Sequence, residues 1–277
     1  MKRKQRLIIM NKIEILLKGL CIGGTMLVPG ISGGSMAMIL GIYDRLISSV
    51  SSFGRNIKEN LLFLILFGAG GGLGMLLLAK PLSAVISSYP HLMLYFFMGI
   101  VAGSLPMMYK KAEVKRIQIR TVFYLILGIA LVLLLKLIPN DLLQGQSNHG
   151  VVGFIMLMIA GVVAAIALVL PGISVSYMLL VLGLYEVTIE AVSKFNFSLL
   201  IPLGLGLVLG VLGTTKLLET LMNKYPQPTY LMILGFMLGS VGELFPGVPL
   251  GMGWAFSIAS FVAGAGIISI VLQLGKE

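Results

Sequence analysis

Apolar residues run in long blocks along this chain, and the breaks between blocks set its layout. Segments 61–87, 92–109, 121–138, 198–222, 229–245 and 252–274 read as membrane-crossing helices. Two further pairs, 11–28 with 33–50 and 150–170 with 174–192, read as the arms of helical hairpins. No polar loop separates the arms. Instead the runs are interrupted by Leu27-Val28-Pro29-Gly30-Ile31-Ser32-Gly33-Gly34-Ser35 and by Leu170-Pro171-Gly172-Ile173-Ser174-Val175-Ser176. Proline lacks an N–H and disfavours helix in the residue before it, so the first arm should end near Val28. Ser32 is the expected N-cap of the second arm, with Gly33, Gly34 and Ser35 in its first turn. Such a start presents free N–H groups and a positive dipole end.

The two halves repeat. Pro29, Gly30 and Ser32 recur as Pro171, Gly172 and Ser174, 142 positions on, and Gly41-Ile42-Tyr43-Asp44 recurs as Gly183-Leu184-Tyr185-Glu186. Beyond a short deletion the offset becomes 136. There Gly68, Gly70 and Gly74 meet Gly204, Gly206 and Gly210, Lys80 meets Lys216, and Tyr89-Pro90 meets Tyr225-Pro226. Leucine matches could arise from apolar composition; the Pro-Gly, Tyr-Asp/Glu and Tyr-Pro matches could not. The expected organisation is a first repeat at 1–138, an external connector at 139–149 and a second repeat at 150–277.

Each repeat holds one hairpin and three spanning helices. Whether the hairpin crosses or re-enters, the unit crosses an odd number of times, so the second copy is inverted. Broken backbone at membrane depth requires protein or a watery cavity around it, and paired inverted hairpins are a transporter layout. The expected fold is therefore an all-α polytopic membrane protein of two inverted repeats, each with a Pro-Gly-broken, re-entrant hairpin. The alternative is a proline kink in each of two ordinary helices.

Composition agrees. The chain has 277 residues, 58% hydrophobic and 11% charged, with a mean hydropathy of +1.04. A soluble domain carries far more charge. The 35 glycines suit close helix packing in lipid. The net charge of +10 points away from nucleic acid because of where it lies. The basic tail 1–6, Arg55 with Lys58, the cluster Lys110-Lys111-Lys115-Arg116-Arg120, Lys224 and Lys276 all fall on one side of the inverted topology. Connectors 88–91, 139–149 and 246–251 contain no Lys or Arg. The positive-inside rule puts both termini in the cytoplasm, with Lys194 the exception. One cysteine, Cys21, excludes an intrachain disulfide framework.

Pro29-Gly30-Ile31-Ser32-Gly33-Gly34-Ser35 followed by Leu40-Gly41-Ile42-Tyr43-Asp44-Arg45-Leu46 resembles the signature of the bacterial polyprenyl-phosphate transporter family, long catalogued only as a domain of unknown function. Pro171-Gly172-Ile173-Ser174 with Gly183-Leu184-Tyr185-Glu186 resembles it again. Val175 departs from the first copy's Gly33. The resemblance implies an undecaprenyl-phosphate translocase of the bacterial plasma membrane, returning the lipid carrier of cell-wall biogenesis from the outer to the inner leaflet. It implies no enzyme activity and no cofactor.

Candidate residues follow from that substrate. The hairpin tips supply Ser32, Gly33, Gly34 and Ser35, with Ser174 and Ser176 in the second copy, for a phosphate head. Arg45 is the best cationic partner, since a guanidinium grips phosphate in a fork; it also suits pairing with Asp44 at the interface. Lys80 and Lys216 lie deep in apolar segments and either face a cavity or snorkel. Glu186, Glu219 and Glu243 are the carboxylates placed to carry protons, because apolar surroundings raise a carboxyl pKa; Glu219 also has a helical ion-pair spacing to Lys216. The expected partners are the polyprenyl-phosphate lipid, protons and membrane lipids. No metal cluster, serine-nucleophile elbow or P-loop is present in the sequence. Two other classes remain open: a transporter of a small soluble anion, and a membrane-embedded lipid phosphatase for which Ser32 or Ser35 lacks a base.

Overall fold

The computed structural model describes residues 11–26, 32–114, 116, 118–135, 137–138, 150–249 and 253–274. The first Pro-Gly break, Pro29-Gly30, the basic tail 1–6 and the connector 139–149 lie outside them. All the regular structure described is helical: α1 Lys12–Thr25, α2 Gly33–Ile39, α3 Tyr43–Ser51, α4 Ile57–Ser88, α5 Pro90–Lys111, α6 Ile119–Leu135, α7 Gly150–Val169, α8 Val175–Val181, α9 Tyr185–Ser193, α10 Phe197–Lys224, α11 Pro226–Leu244 and α12 Gly253–Leu274, with a short 3-10 turn at Phe53–Arg55. Five of these, α4, α5, α7, α10 and α12, are long and apolar enough to cross a membrane. The chain is a polytopic membrane protein.

The element order follows the sequence repeat. α8 and α9 start and stop 142 positions after α2 and α3, and α10 ends and α11 begins 136 positions after α4 ends and α5 begins. Two expectations change. Of the six segments expected to cross, those forming α6 and α11 are not among the five helices long and apolar enough, whereas α7, expected as a hairpin arm, is. The second arm of each hairpin, expected as a single helix over 33–50 and 174–192, is two short helices. Leu40-Gly41-Ile42 ends α2 with the Gly41 N–H donating to the Met38 carbonyl and the Ile42 N–H to the Ala37 carbonyl. Gly183 and Leu184 make the same pair of bonds to Leu180 and Leu179. This is a Schellman stop, and it needs a left-handed residue, supplied by Gly41 at φ +70° and Gly183 at φ +71°. The chain turns sharply there: α8 and α9 meet at 112°.

The chain folds into two compact units, residues 1–106 with 243–277 and residues 107–242. In the first, α1 lies against α4 through glycines. A side chain at Gly19, Gly23, Gly70 or Gly74 would strike the backbone at Phe67, Gly71, Leu16 or Leu20 respectively. Residue numbers rise together along both helices, so α1 and α4 run parallel. In the second unit α7 and α10 pack the same way, Gly161 on Leu203, Gly206 on Met158 and Gly210 on Val162. Contacts between bare backbones are how helices gain packing energy in lipid, where no hydrophobic drive separates them from the solvent.

A second parallel pair completes each unit. Gly99 of α5 meets Phe261 of α12, and Gly264 meets Phe96. In the other unit Gly128 of α6 meets Met232 of α11, and Gly235 meets Leu125. The last helix of each sequence repeat is thus housed away from its own hairpin: α12 packs in the unit of α1, and α6 in the unit of α7. Repeats and compact units are two different divisions of the chain.

Candidate functional site

The second hairpin tip is described in full and belongs to the unit of 107–242. Pro171 is fully buried, and Gly172 holds φ +85° against the Phe236 carbonyl, a place closed to any side chain. Ile173 and Met178 join Val132, Ala167 and Phe236 in one apolar cluster, which seats the tip among α6, α7 and α11. The Ser174 hydroxyl caps α8, accepting from the Tyr177 N–H at 3.4 Å, and the Tyr177 hydroxyl reaches the Leu135 carbonyl at 3.4 Å. Ser176 is exposed.

Beside this tip is a cavity of about 580 Å³. Leu170 and Phe236 border it near the Pro-Gly break, and Tyr225, Pro228 and Thr229 border it at the α10–α11 junction. Its remaining walls are chiefly leucine, isoleucine and methionine, with Tyr124 and Thr214 adding polar atoms. The volume lies within the roughly 300–1,000 Å³ usual for small-molecule sites. Lys224, which does not line the cavity, holds its ammonium 5.2 Å from the centre of the ring of the lining residue Tyr225. A cleft with walls this apolar suits a hydrocarbon chain.

At the first hairpin, Ser32 occupies the N-cap position of α2 and is buried, yet its side chain makes no capping bond, unlike Ser174. Gly34 and Ser35 are buried, and Gly33 faces the flexible end of Met26. α2 and α8 have seven residues each, so each carries little macrodipole. Arg45, one short helix further on, lies with its guanidinium 5.2 Å from the centre of the Phe63 ring of α4. The second copy has Val187 at that place, so this cation belongs to one repeat alone.

The remaining candidates are scattered. Lys80 and Lys216 occupy exposed faces of α4 and α10, and neither lines the cavity. Glu186 is exposed in the first turn of α9, and Glu219 is half-buried on α10. The side chain of Glu243 lies outside the described residues. Lys194, the charge that broke the positive-inside pattern, is bonded to Glu190 at 2.6 Å. Among the described residues no three metal-ligating side chains cluster. The cavity itself had a weak sequence signal: Tyr225-Pro226 and Thr229 mark the α10–α11 junction but do not reveal a void.

These features define a polytopic, all-helical membrane protein with an apolar cleft beside its second Pro-Gly break. The chain belongs, more closely, to the undecaprenyl phosphate translocase-like family, whose model matches residues 22–259. It is 34% identical to a polyprenyl-phosphate transporter of Staphylococcus aureus over 93% of this chain and 94% of that one. It is 30% identical to a polyprenyl-phosphate transporter of Vibrio cholerae over 86% of this chain and 79% of that one. No solved structure matches it.

Proposed function

We propose that this protein moves polyprenyl phosphate, of the undecaprenyl class, from the outer to the inner leaflet of a bacterial plasma membrane, with both termini in the cytoplasm. The likeness to two polyprenyl-phosphate transporters over most of the chain carries this reading. The cavity beside the second hairpin tip supports it, because its apolar walls suit a prenyl chain better than a soluble anion. In this reading the cavity takes part of the chain. Each hairpin tip offers hydroxyls to a phosphate, Ser32 and Ser35 in one unit and Ser174 in the other, and Arg45 lends charge in the first. Re-entrance is favoured by length for the first arm of the first hairpin, whereas α7, the first arm of the second, is long enough to cross. α1 at 14 residues is about 21 Å long against a hydrocarbon core of about 30 Å, and the 112° bend between α8 and α9 denies that pair a straight crossing.

Energy asks for a coupling ion. A phosphate monoester carries one to two negative charges near neutrality, its second pKa being about 6. Moving each negative charge inward against an inside-negative potential costs about 2.3 kcal/mol per 100 mV. Protons moving with the lipid cancel that charge. The carrier is one of Glu186, Glu219 and Glu243; of the two whose side chains are described, Glu219 is half-buried and Glu186 exposed.

Reconstituted vesicles with labelled polyprenyl phosphate in one leaflet test the reading. Inward movement should require the protein, rise with an imposed inward proton gradient at clamped potential, and lose that rise in Glu219→Gln. Movement that ignores the gradient refutes coupling. Absence of any protein-dependent movement refutes transport itself.

A further inference from the structure

A second cavity, of about 500 Å³, lies at one end of the unit formed by 1–106 and 243–277. It is lined by His91 and Leu92 from the first turn of α5, by Gly253, Phe256 and Ser257 from the start of α12, and by the segment at Val248 and Pro249. Because α5 and α12 run parallel, both helices begin here. Neighbouring helices that run antiparallel present opposite dipole ends; these two present the same end. α5 opens with Pro90, which has no N–H, so its free first-turn donors are the His91 and Leu92 N–H groups; the first turn of α12 likewise lacks acceptors within its own helix. No acidic residue is among those lining the cavity.

Ser257 provides an independent observation. It is only 2% exposed, it lines the cavity, and its hydroxyl finds no hydrogen-bond partner among the described residues. Its neighbour Ser260 has one, donating to the Leu92 carbonyl at 2.7 Å. The equivalent of Ser257 in the other parallel pair is Thr121, whose hydroxyl accepts from the Gln118 N–H at 3.3 Å. A buried hydroxyl is rarely left empty-handed. This one, beside two positive helix ends and the His91 ring, has the surroundings of an anion's donor. Trp254, Phe256 and Val248 near it are 57%, 61% and 79% exposed, an apolar and aromatic setting typical of a membrane interface.

We propose that this cavity is the loading site for the phosphate head of the lipid, on the face opposite the basic loops. The assignment rests on the transport reading above and adds to it the place where the head is first held. Two positive helix ends and the Ser257 and His91 side chains grip the phosphate, while the exposed aromatic residues leave the prenyl chain in the bilayer.

Trp254, the chain's single tryptophan, is the second residue of α12 and follows the lining residue Gly253, so its fluorescence serves as the probe. The full-length protein in detergent is titrated with a short-chain polyprenyl monophosphate, with the uncharged polyprenol of equal length, and with inorganic phosphate. A saturable Trp254 response is expected for the monophosphate and not for the alcohol. Ser257→Ala should weaken it about tenfold, as loss of a hydrogen bond to a charged group does, with the thermal midpoint unchanged because no protein bond is lost. His91→Leu, at an exposed position, should weaken it as well. An equal response to the alcohol, or unaltered affinity in both variants, overturns the site. Equal affinity for inorganic phosphate assigns the cavity to a soluble anion and overturns its loading role. Binding of radiolabelled polyprenyl monophosphate to the whole protein is measured alongside. If the lipid binds while Trp254 is silent and Ser257→Ala changes nothing, the loading site fails and the transport reading stands. If no lipid binds at all, both fail.

Discussion

The Tyr95 hydroxyl donates to the Gly247 carbonyl at 3.1 Å, tying α5 to the segment that leads into α12, 152 positions away. The Tyr95 ring also meets Phe245 edge-on at 6.3 Å. Tyr95→Phe keeps the ring contact and removes the bond. It should lower stability by about 1 kcal/mol, read as a drop in the thermal midpoint of the detergent-solubilised protein. An unchanged midpoint would show that this tie contributes nothing.

The glycine contacts between parallel helices make a sharper expectation. A side chain at Gly206 must displace the Met158 backbone, whereas nothing lies within 4 Å of the β-position of Gly213 on the same helix. Gly206→Leu should cost at least about 1–3 kcal/mol, the usual range for overpacking, and reduce the yield of monodisperse protein. Gly213→Ala should be neutral or stabilising by up to about 1 kcal/mol, since alanine is the better helix former. Size-exclusion profiles of the two variants distinguish packing from composition.

The Schellman stop at Gly41 can be tested free of packing effects, because its β-position is open. Gly41→Ala must hold φ near +70° with a side chain attached. A cost of about 1–2 kcal/mol is expected. Gly41→Asn should cost less, as asparagine tolerates the left-handed region. Equal midpoints for parent, Ala and Asn variants would mean that the turn relaxes rather than strains.

Inverted repeats demand opposite sidedness for equivalent turns. In a Cys21→Ser background, Tyr89→Cys should react with an impermeant thiol reagent from outside intact cells, and Lys224→Cys only after the membrane is opened. Both positions are exposed. Labelling of both from the same side would remove the inversion, however well the two halves match in sequence.

Much of this architecture could be read from residue order, for a physical reason. Membrane helices announce themselves by apolar length, and a duplicated Pro-Gly pair in such a run signals a break in the helix. The break at Gly41 and Gly183 went unread because its neighbours are Leu40, Ile42, Leu182 and Leu184, with no polar loop to flag it. The signal was the recurrence of glycine itself at matching places. Ser257 left no such trace: a single serine in an apolar run gives no hint that its hydroxyl is stranded. Lys80 and Lys216 invited a buried site because charge in lipid is costly, yet both helices turn them outward. Sequence periodicity says that a helix has a glycine face, and not which helix it will meet.

The pairing of α5 with α12 and of α6 with α11 bears on how the chain is made. When α5 has been made, α12, which carries the partners of Gly99 and Gly103, is still to be synthesised. α6 must likewise wait for α11. A nascent chain stopped in the connector after α6 therefore holds two glycine-faced helices with lipid where protein belongs. Neither half is an independent piece, and expressing residues 1–138 alone should give a product that the membrane's quality-control proteases remove, while co-expression with 150–277 restores it.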